Sequence, residues 1–176
     1  MTFDGTNLWR TDYFLGRVEK IDPATNGILS FFVPTGIGGP VGVAFDGTGL
    51  WVGDYNGSRV EKYTTAGVDT GLGFNLAVGG NFVGIGFNNP GGIGYDSVDN
   101  TLFIGTGNRV YHYDLLGNQL GHFDTPDPGS GKNRFVDGLE FQGGATNAVP
   151  EPTSMLLLAT VVGVLGSALR RRRTVI

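Results

Sequence analysis

"TFDGTNLW" at residues 2–9 returns as "AFDGTGLW" at residues 44–51, 42 positions later. The same interval separates "RVEKI" at 17–21 from "RVEKY" at 59–63. A looser third copy, "GIGYDSVDNTLFIGTGNRVYHYDLLGN", runs from Gly92 to Asn118, and a fourth only begins, as "DGLEF" at 137–141. Self-similarity at a fixed spacing means one structural unit used several times. In the second copy the unit resolves into short extended runs. "VGVAFD" (41–46), "LWVGD" (50–54) and "RVEKYT" (59–64) are predicted strands, with an edge strand somewhere in "GVDTGLGFNLAV" (67–78). Turn residues punctuate them: Asp46-Gly47-Thr48-Gly49, Asn56-Gly57-Ser58 and Thr65-Ala66-Gly67. No segment of the body carries a long 3.6-residue apolar pattern, so the body is expected to be all-β.

Four short strands in a repeat of about 40–50 residues make a β-propeller blade. The expected fold is therefore a partial β-propeller of about three four-stranded blades plus an orphan strand, followed by a C-terminal transmembrane helix. The blades are expected over about 1–36, 37–88 and 89–135, with a partial one over 136–144. A linker over 145–154 and a hydrophobic helix with basic tail over 155–176 complete the chain. The repeats also resemble NHL-type propeller repeats, in "GGPVGVAFDGTGLWVGDYNGSRVEKYTTAG" (38–67) and in the lead-in "NNPGGIGYD" (88–96). The third copy departs from that pattern. Trp51 to Arg59 spans eight residues but Phe103 to Arg109 spans six, so the turn that carries Asp12 and Asp54 is shortened there.

Composition agrees with many short strands. The 176 residues include 32 Gly and 12 Phe with only 16% charged, and glycine interleaved with Phe, Val, Ile and Trp suits strands joined by tight turns. There is no cysteine, which excludes disulfides and thiolate metal sites. Charge is divided between body and tail. Residues 1–149 hold eight Lys/Arg against fifteen Asp/Glu, a formal −7, while the tail is basic. An acidic body repels phosphate backbones, so no nucleic-acid partner is expected.

The tail, "VPEPTSMLLLATVVGVLGSALRRRRTVI" (149–176), has three parts. Val149, Pro150, Glu151 and Pro152 form an extended joint, because the prolines disfavour helix. Met155 to Leu169 are uncharged and mostly Leu, Val and Ala. As a helix that run is about 22 Å long, a marginal span of the ~30 Å bilayer core. Arg170, Arg171, Arg172 and Arg173 then follow, and the positive-inside rule keeps them cytoplasmic and the body outside. Taken in order, these parts resemble the PEP-CTERM sorting signal of exported bacterial proteins. The resemblance implies recognition by an exosortase-type membrane enzyme, residence in the inner membrane before processing, and cleavage near Pro-Glu-Pro. It further implies delivery to the cell surface, the medium or an extracellular polysaccharide matrix.

An export signal is expected at the front of such a protein, yet "MTFDGTNLWR" has neither a basic start nor an apolar stretch. Three blades and an orphan strand do not close a ring. The expectation is therefore that further blades and an export signal lie upstream, with ring closure by self-association of two copies as the alternative.

No catalytic residue, cofactor or metal is expected. His112 and His122 are read as strand residues, and no Gly-x-Ser-x-Gly elbow, His-Glu-x-x-His helix or cysteine nucleophile is present. Asp54-Tyr55-Asn56-Gly57 and Asp96-Ser97-Val98-Asp99-Asn100 offer hard oxygens for calcium but lack the twelve-residue loop spacing, so their side chains are expected in turn hydrogen bonds. Asp12 with Arg17 and Asp54 with Arg59 are expected as exposed pairs across the turn. Trp9, Trp51 and Phe103 occupy equivalent positions and are read as blade core. The body is expected to be a binding or scaffold module at the surface. A propeller enzyme of the lyase or lactonase kind, or a gene fragment, stands as the alternative.

Overall fold

The computed structural model describes residues 1–76, 90–107, 109–125 and 138–139. Among them lie twelve strands in three antiparallel sheets, and no helix. Blade one is β1 (Thr2–Phe3), β2 (Leu8–Asp12), β3 (Arg17–Ile21) and β4 (Ile28–Phe32). Blade two is β5 (Pro40–Phe45), β6 (Leu50–Asp54), β7 (Arg59–Tyr63) and β8 (Asp69–Asn75). Blade three is β9 (Ile93–Asp96), β10 (Thr101–Thr106), β11 (Arg109–Asp114) and β12 (Gln119–Asp124). Each sheet is a simple meander, and its fourth strand is the most exposed. The chain falls into two compact units, Met1–Gly143 and Gly144–Ile176. The expected transmembrane helix, the Pro-Glu-Pro joint and the arginine cluster lie outside the described residues.

The repeated octapeptide is one hydrogen-bonding device. Asp4 Oδ1 accepts the amides of Thr6 and Asn7, while its Oδ2 accepts the indole N–H of Trp9 at 2.7 Å. In blade two, Asp46 accepts Thr48 N, Gly49 N and the Trp51 indole at 2.8 Å. Gly5 and Gly47 sit at φ +95° and +90°, the left-handed region that glycine enters without steric cost. One carboxylate thus shapes the turn between first and second strands and fixes the tryptophan rotamer. Blade three keeps only part of this: Asp96 accepts Val98 N, and the Tyr95 hydroxyl donates to Asn100.

The tryptophans then build the contacts between blades. Trp9 and Val18 of blade one pack with Val43, Leu50, Val52 and Tyr63 of blade two. Trp51, Val60 and Leu76 of blade two pack with Leu102, Ile104, Tyr111 and Tyr113 of blade three. Each joint adds a phenylalanine seated on the next blade: Phe32 lies 5.8 Å from Tyr63, and Phe74 lies 5.2 Å from Tyr113. Beneath these rings are Gly67 and Gly117, where a Cβ would come 2.5 Å from the Phe32 and Phe74 side chains. The inner strands follow the same rule. A Cβ on Gly42 would strike Gly91 and Ile93, and one on Gly92 would strike Gly138 and Leu139. Residues 138–139 therefore stand beside β9 as β9 stands beside β5, in the place of a fourth inner strand. Faces stacked in this way around adjoining inner strands make an all-β, propeller-type body.

Three expectations need correction. Asp12 and Arg17 are cross-strand neighbours but do not pair: Asp12 accepts Leu15 N within the turn, and Arg17 reaches Glu19 at 2.8 Å. Asp54 does approach Arg59, at 3.4 Å, but it is 2% exposed rather than a surface charge. Trp9 and Trp51 are buried, whereas Phe103 is only half-buried and stacks on His112 at 4.2 Å. Phe103 nonetheless keeps the tryptophan register, opposite His112 as Trp9 is opposite Lys20 and Trp51 opposite Lys62.

Candidate functional site

Charged side chains concentrate on the second and third strands. Glu19 is fully buried between Arg10 and Arg17, and the Arg17 guanidinium also lies 4.6 Å over the Phe31 ring. Burial pushes the Glu19 carboxyl up, but the hydrogen bonds and charges of the two arginines outweigh it and leave it below the usual carboxylate range. In blade two, Val52 replaces Arg10 across from the equivalent Glu61. Glu61 takes Arg59 at 3.1 Å and lies 2.7 Å from the Tyr63 hydroxyl, which is also 2.6 Å from the Thr35 carbonyl. Burial and the Glu61 carboxylate hold the Tyr63 hydroxyl well above its ordinary pKa. Both glutamates are engaged by donors on their own blade, so neither is poised to take a proton from a substrate.

Asp54 ties the loop between blades to its own blade. Its Oδ1 accepts Gly38 N at 3.2 Å, Gly39 N at 3.1 Å and Asn56 N at 3.1 Å. At the two calcium candidates, Asp54 accepts the amides given above and Asp96 accepts Val98 N. Among the described residues no group of three or more His, Asp or Glu side chains is placed to hold a metal ion.

The histidines do not converge. Tyr111 is paired directly with His122 and their rings are 5.7 Å apart, which puts both on one face of blade three. His112, the next residue along β11, projects to the other face, where Nε2 meets the Thr101 hydroxyl at 2.9 Å. An acid–base pair built from these two would have to act through the sheet.

Open clefts occur among the described residues. One of about 410 Å³ lies where the ends of β1, β5 and β9 meet, lined by Phe3, Phe45, Tyr95, Asp46 and Leu139 among others. Asp46 in its wall is ionised: burial pushes its pKa up, but hydrogen bonds from Lys62, Thr48 and Trp51 bring it down to about 2. Another, of about 320 Å³, runs along β8 beside Arg59, Glu61 and Asp69. Neither is lined by a histidine.

Sequence reading missed Glu19 as a buried centre and Asp54 as a loop clamp. Strand alternation does place Arg17, Glu19 and Ile21 on one face. The burial of Glu19 depends on Arg10, a residue of another strand, and no single run of sequence shows that. For Asp54 the signal was present in "GGP" sixteen residues before it, a bare backbone leading into a strand.

Comparison with known proteins bears on the two parts separately. Residues 148–173 match the PEP-CTERM protein-sorting motif, the stretch that contains Pro150, Glu151, Pro152 and Arg170 to Arg173. No curated protein matches the chain. Among solved structures, hydrazine synthase from Kuenenia stuttgartiensis is similar at 17% identity and a TM-score of 0.52, over 72% of this chain and 35% of that one. Virginiamycin B lyase from Staphylococcus aureus follows at 19% identity and a TM-score of 0.49, over 69% and 39%. A streptogramin B lyase matches at 21% identity and a TM-score of 0.48, over 68% and 37%. The chain thus spans well under half the length of each, and at 17% identity the likeness to hydrazine synthase is one of fold.

Proposed function

We propose, with the sorting motif at 148–173 as premise, that the chain is an exosortase substrate whose propeller body is delivered to the cell surface or extracellular matrix and acts there as a binding module. In this reading the tail holds the precursor in the inner membrane until cleavage near Pro150-Glu151-Pro152 releases the body. A binding role is favoured over catalysis because the buried or half-buried carboxylates Glu19, Asp46, Asp54 and Glu61 are engaged by hydrogen bonds or ion pairs, and the two histidines face away from each other across one sheet. The observation that carries the proposal is the conjunction of a propeller-type body with a sorting motif at its end. The partner we assign to the body is matrix polysaccharide, carried on a rigid scaffold of stacked sheets.

Fractionation of the native host is the test. The wild-type chain, tagged within the body, is expected at the surface or in the medium in a form shortened by its tail. Replacing Pro150-Glu151-Pro152 by alanines is expected to leave a full-length form in the membrane fraction. A wild-type chain found uncleaved in the cytosol would overturn the proposal.

A further inference from the structure

The most exposed large apolar side chain among the described residues, Phe14, does not stand alone. Phe14 is 94% exposed, Leu15 58% and Tyr13 42%, all in the turn between β2 and β3. Tyr13 meets Phe14 edge-on at 5.5 Å, and meets Tyr55, from the equivalent turn of blade two, edge-on at 5.6 Å. Two blades thus contribute to one aromatic ridge. Its foundation is rigid. A Cβ on Gly39 would lie 2.7 Å from the Tyr13 ring and 2.9 Å from the Asn56 amide, so the bare backbone there is what admits both. Buried Asp54 holds Gly38 and Gly39 by their amides, and Tyr55 N donates to the Gly39 carbonyl at 2.8 Å. Blade three has no counterpart, because its turn is two residues shorter and reads Gly107-Asn108.

We propose that this ridge is the docking platform of the body for a polysaccharide free of acidic sugars. It rests on the reading above that the body binds matrix glycan, and it names the surface and the kind of glycan. Exposed, pre-ordered rings suit the C–H faces of sugar rings, since their apolar area is offered at little further entropic cost. The Tyr13 and Tyr55 hydroxyls and the Asn56 amide supply hydrogen-bonding groups at the same edge. Charge selects among glycans. The body carries a formal −7 over residues 1–149 and repels uronic-acid polymers. The same charge disfavours the anionic lipid surface that a tip such as Phe14-Leu15 would otherwise suit.

The test uses the full chain in mild detergent, run on native gels that contain hydroxyethyl cellulose or alginate. Retardation by the neutral polymer and not by alginate is expected. Phe14→Ala with Tyr55→Ala should weaken it by roughly tenfold or more, about the loss of one to two ring contacts. Thermal melting should fall only slightly, because Phe14 is exposed and Tyr55 is half-buried. Leu116→Ala, at a side chain 83% exposed in the β11–β12 turn, should leave retardation intact. The chain has no cysteine, so Leu15→Cys takes a single environment-sensitive dye. A blue shift of that dye with hydroxyethyl cellulose supports the platform. If the double variant is retarded like wild type, the platform is overturned while glycan binding stands. If wild type is retarded by neither polymer, both fall. A dye shift seen only in phosphatidylcholine vesicles makes the ridge a lipid contact and overturns the proposal.

Discussion

Blade one and blade two carry a glutamate at the same point of the third strand, and surround it differently. Glu19 faces Arg10 across the sheet and is closed in by a second arginine, whereas Glu61 faces Val52 and shares its oxygens between Arg59 and the Tyr63 hydroxyl. The neighbours explain it. The Val52 and Tyr63 face of blade two meets Trp9 and Val18 of blade one, so an apolar side chain stands there at the position that Arg10 holds in blade one. The Arg10 face of blade one meets no other blade among the described residues, and the Arg10 side chain is 45% exposed. A repeat therefore fixes the backbone and the register, while the neighbouring blade decides what fills a given position.

The strongest way to break that comparison is to remove a tryptophan from a joint. Trp51 is fully buried between blades two and three, and it holds a hydrogen bond to Asp46. Trp51→Ala should cost about 3–5 kcal/mol, the range for emptying a large aromatic site. Trp9→Ala should cost less, because blade one is supported by blades on one side only among the described residues. Urea denaturation of the two variants measures the difference. Equal losses would mean that blade two gains nothing from being flanked on both sides.

A smaller effect separates the glutamates themselves. Glu19→Gln leaves two guanidiniums around a neutral amide, and should cost about 1–3 kcal/mol. Water reaching Arg10 keeps the loss toward the low end. In Glu61→Gln the amide oxygen still accepts from Tyr63, and Arg59 keeps Asp54 at 3.4 Å. That change should cost less than about 1 kcal/mol. The same denaturation measurement ranks them, and the reverse order would show that the arginine pair of blade one is a surface feature without energetic weight.

These contrasts also explain how much could be read beforehand. The octapeptide was legible because a single carboxylate, a positive-φ glycine and an indole must recur together for the turn to work. "LWVGD" was found at its observed boundaries, as β6, because its ends are marked by turn residues. The edge strand of blade two was confined only to a twelve-residue window. Its observed span, Asp69–Asn75, is exposed except at Phe74 and carries Gly71 and Gly73, so no alternation marks it. The Asp12–Arg17 pairing was misread for a different reason: opposition in register brings Cα atoms together but leaves long side chains free to choose better partners, and Arg17 chose Glu19. The aromatic ridge could not be seen at all from separate runs, since Tyr13 and Tyr55 meet only when two blades stack.

The smallest expected effect distinguishes the two octapeptides by acid. Asp46 receives, besides its turn donors and the Trp51 indole, the Lys62 ammonium at 2.6 Å, and its folded pKa is about 2. An unfolded aspartate titrates near 3.9. A folded pKa below the unfolded one contributes stability that is present in full above about pH 4 and lost as pH falls toward 2. After screening by the water at the turn the contribution is of order 1–2 kcal/mol, since a tenfold change in an acid constant corresponds to about 1.4 kcal/mol. Asp46→Asn removes this titration while keeping an oxygen for the turn amides. Subtracting the variant's stability from that of the wild type, by urea denaturation at pH 5 and again near pH 2.5, therefore isolates the Asp46 share from that of every other carboxylate. The difference should be largest at pH 5 and shrink on acidification. A difference that stays constant would show that neither Lys62 nor the turn donors favour the ionised Asp46 over the neutral one.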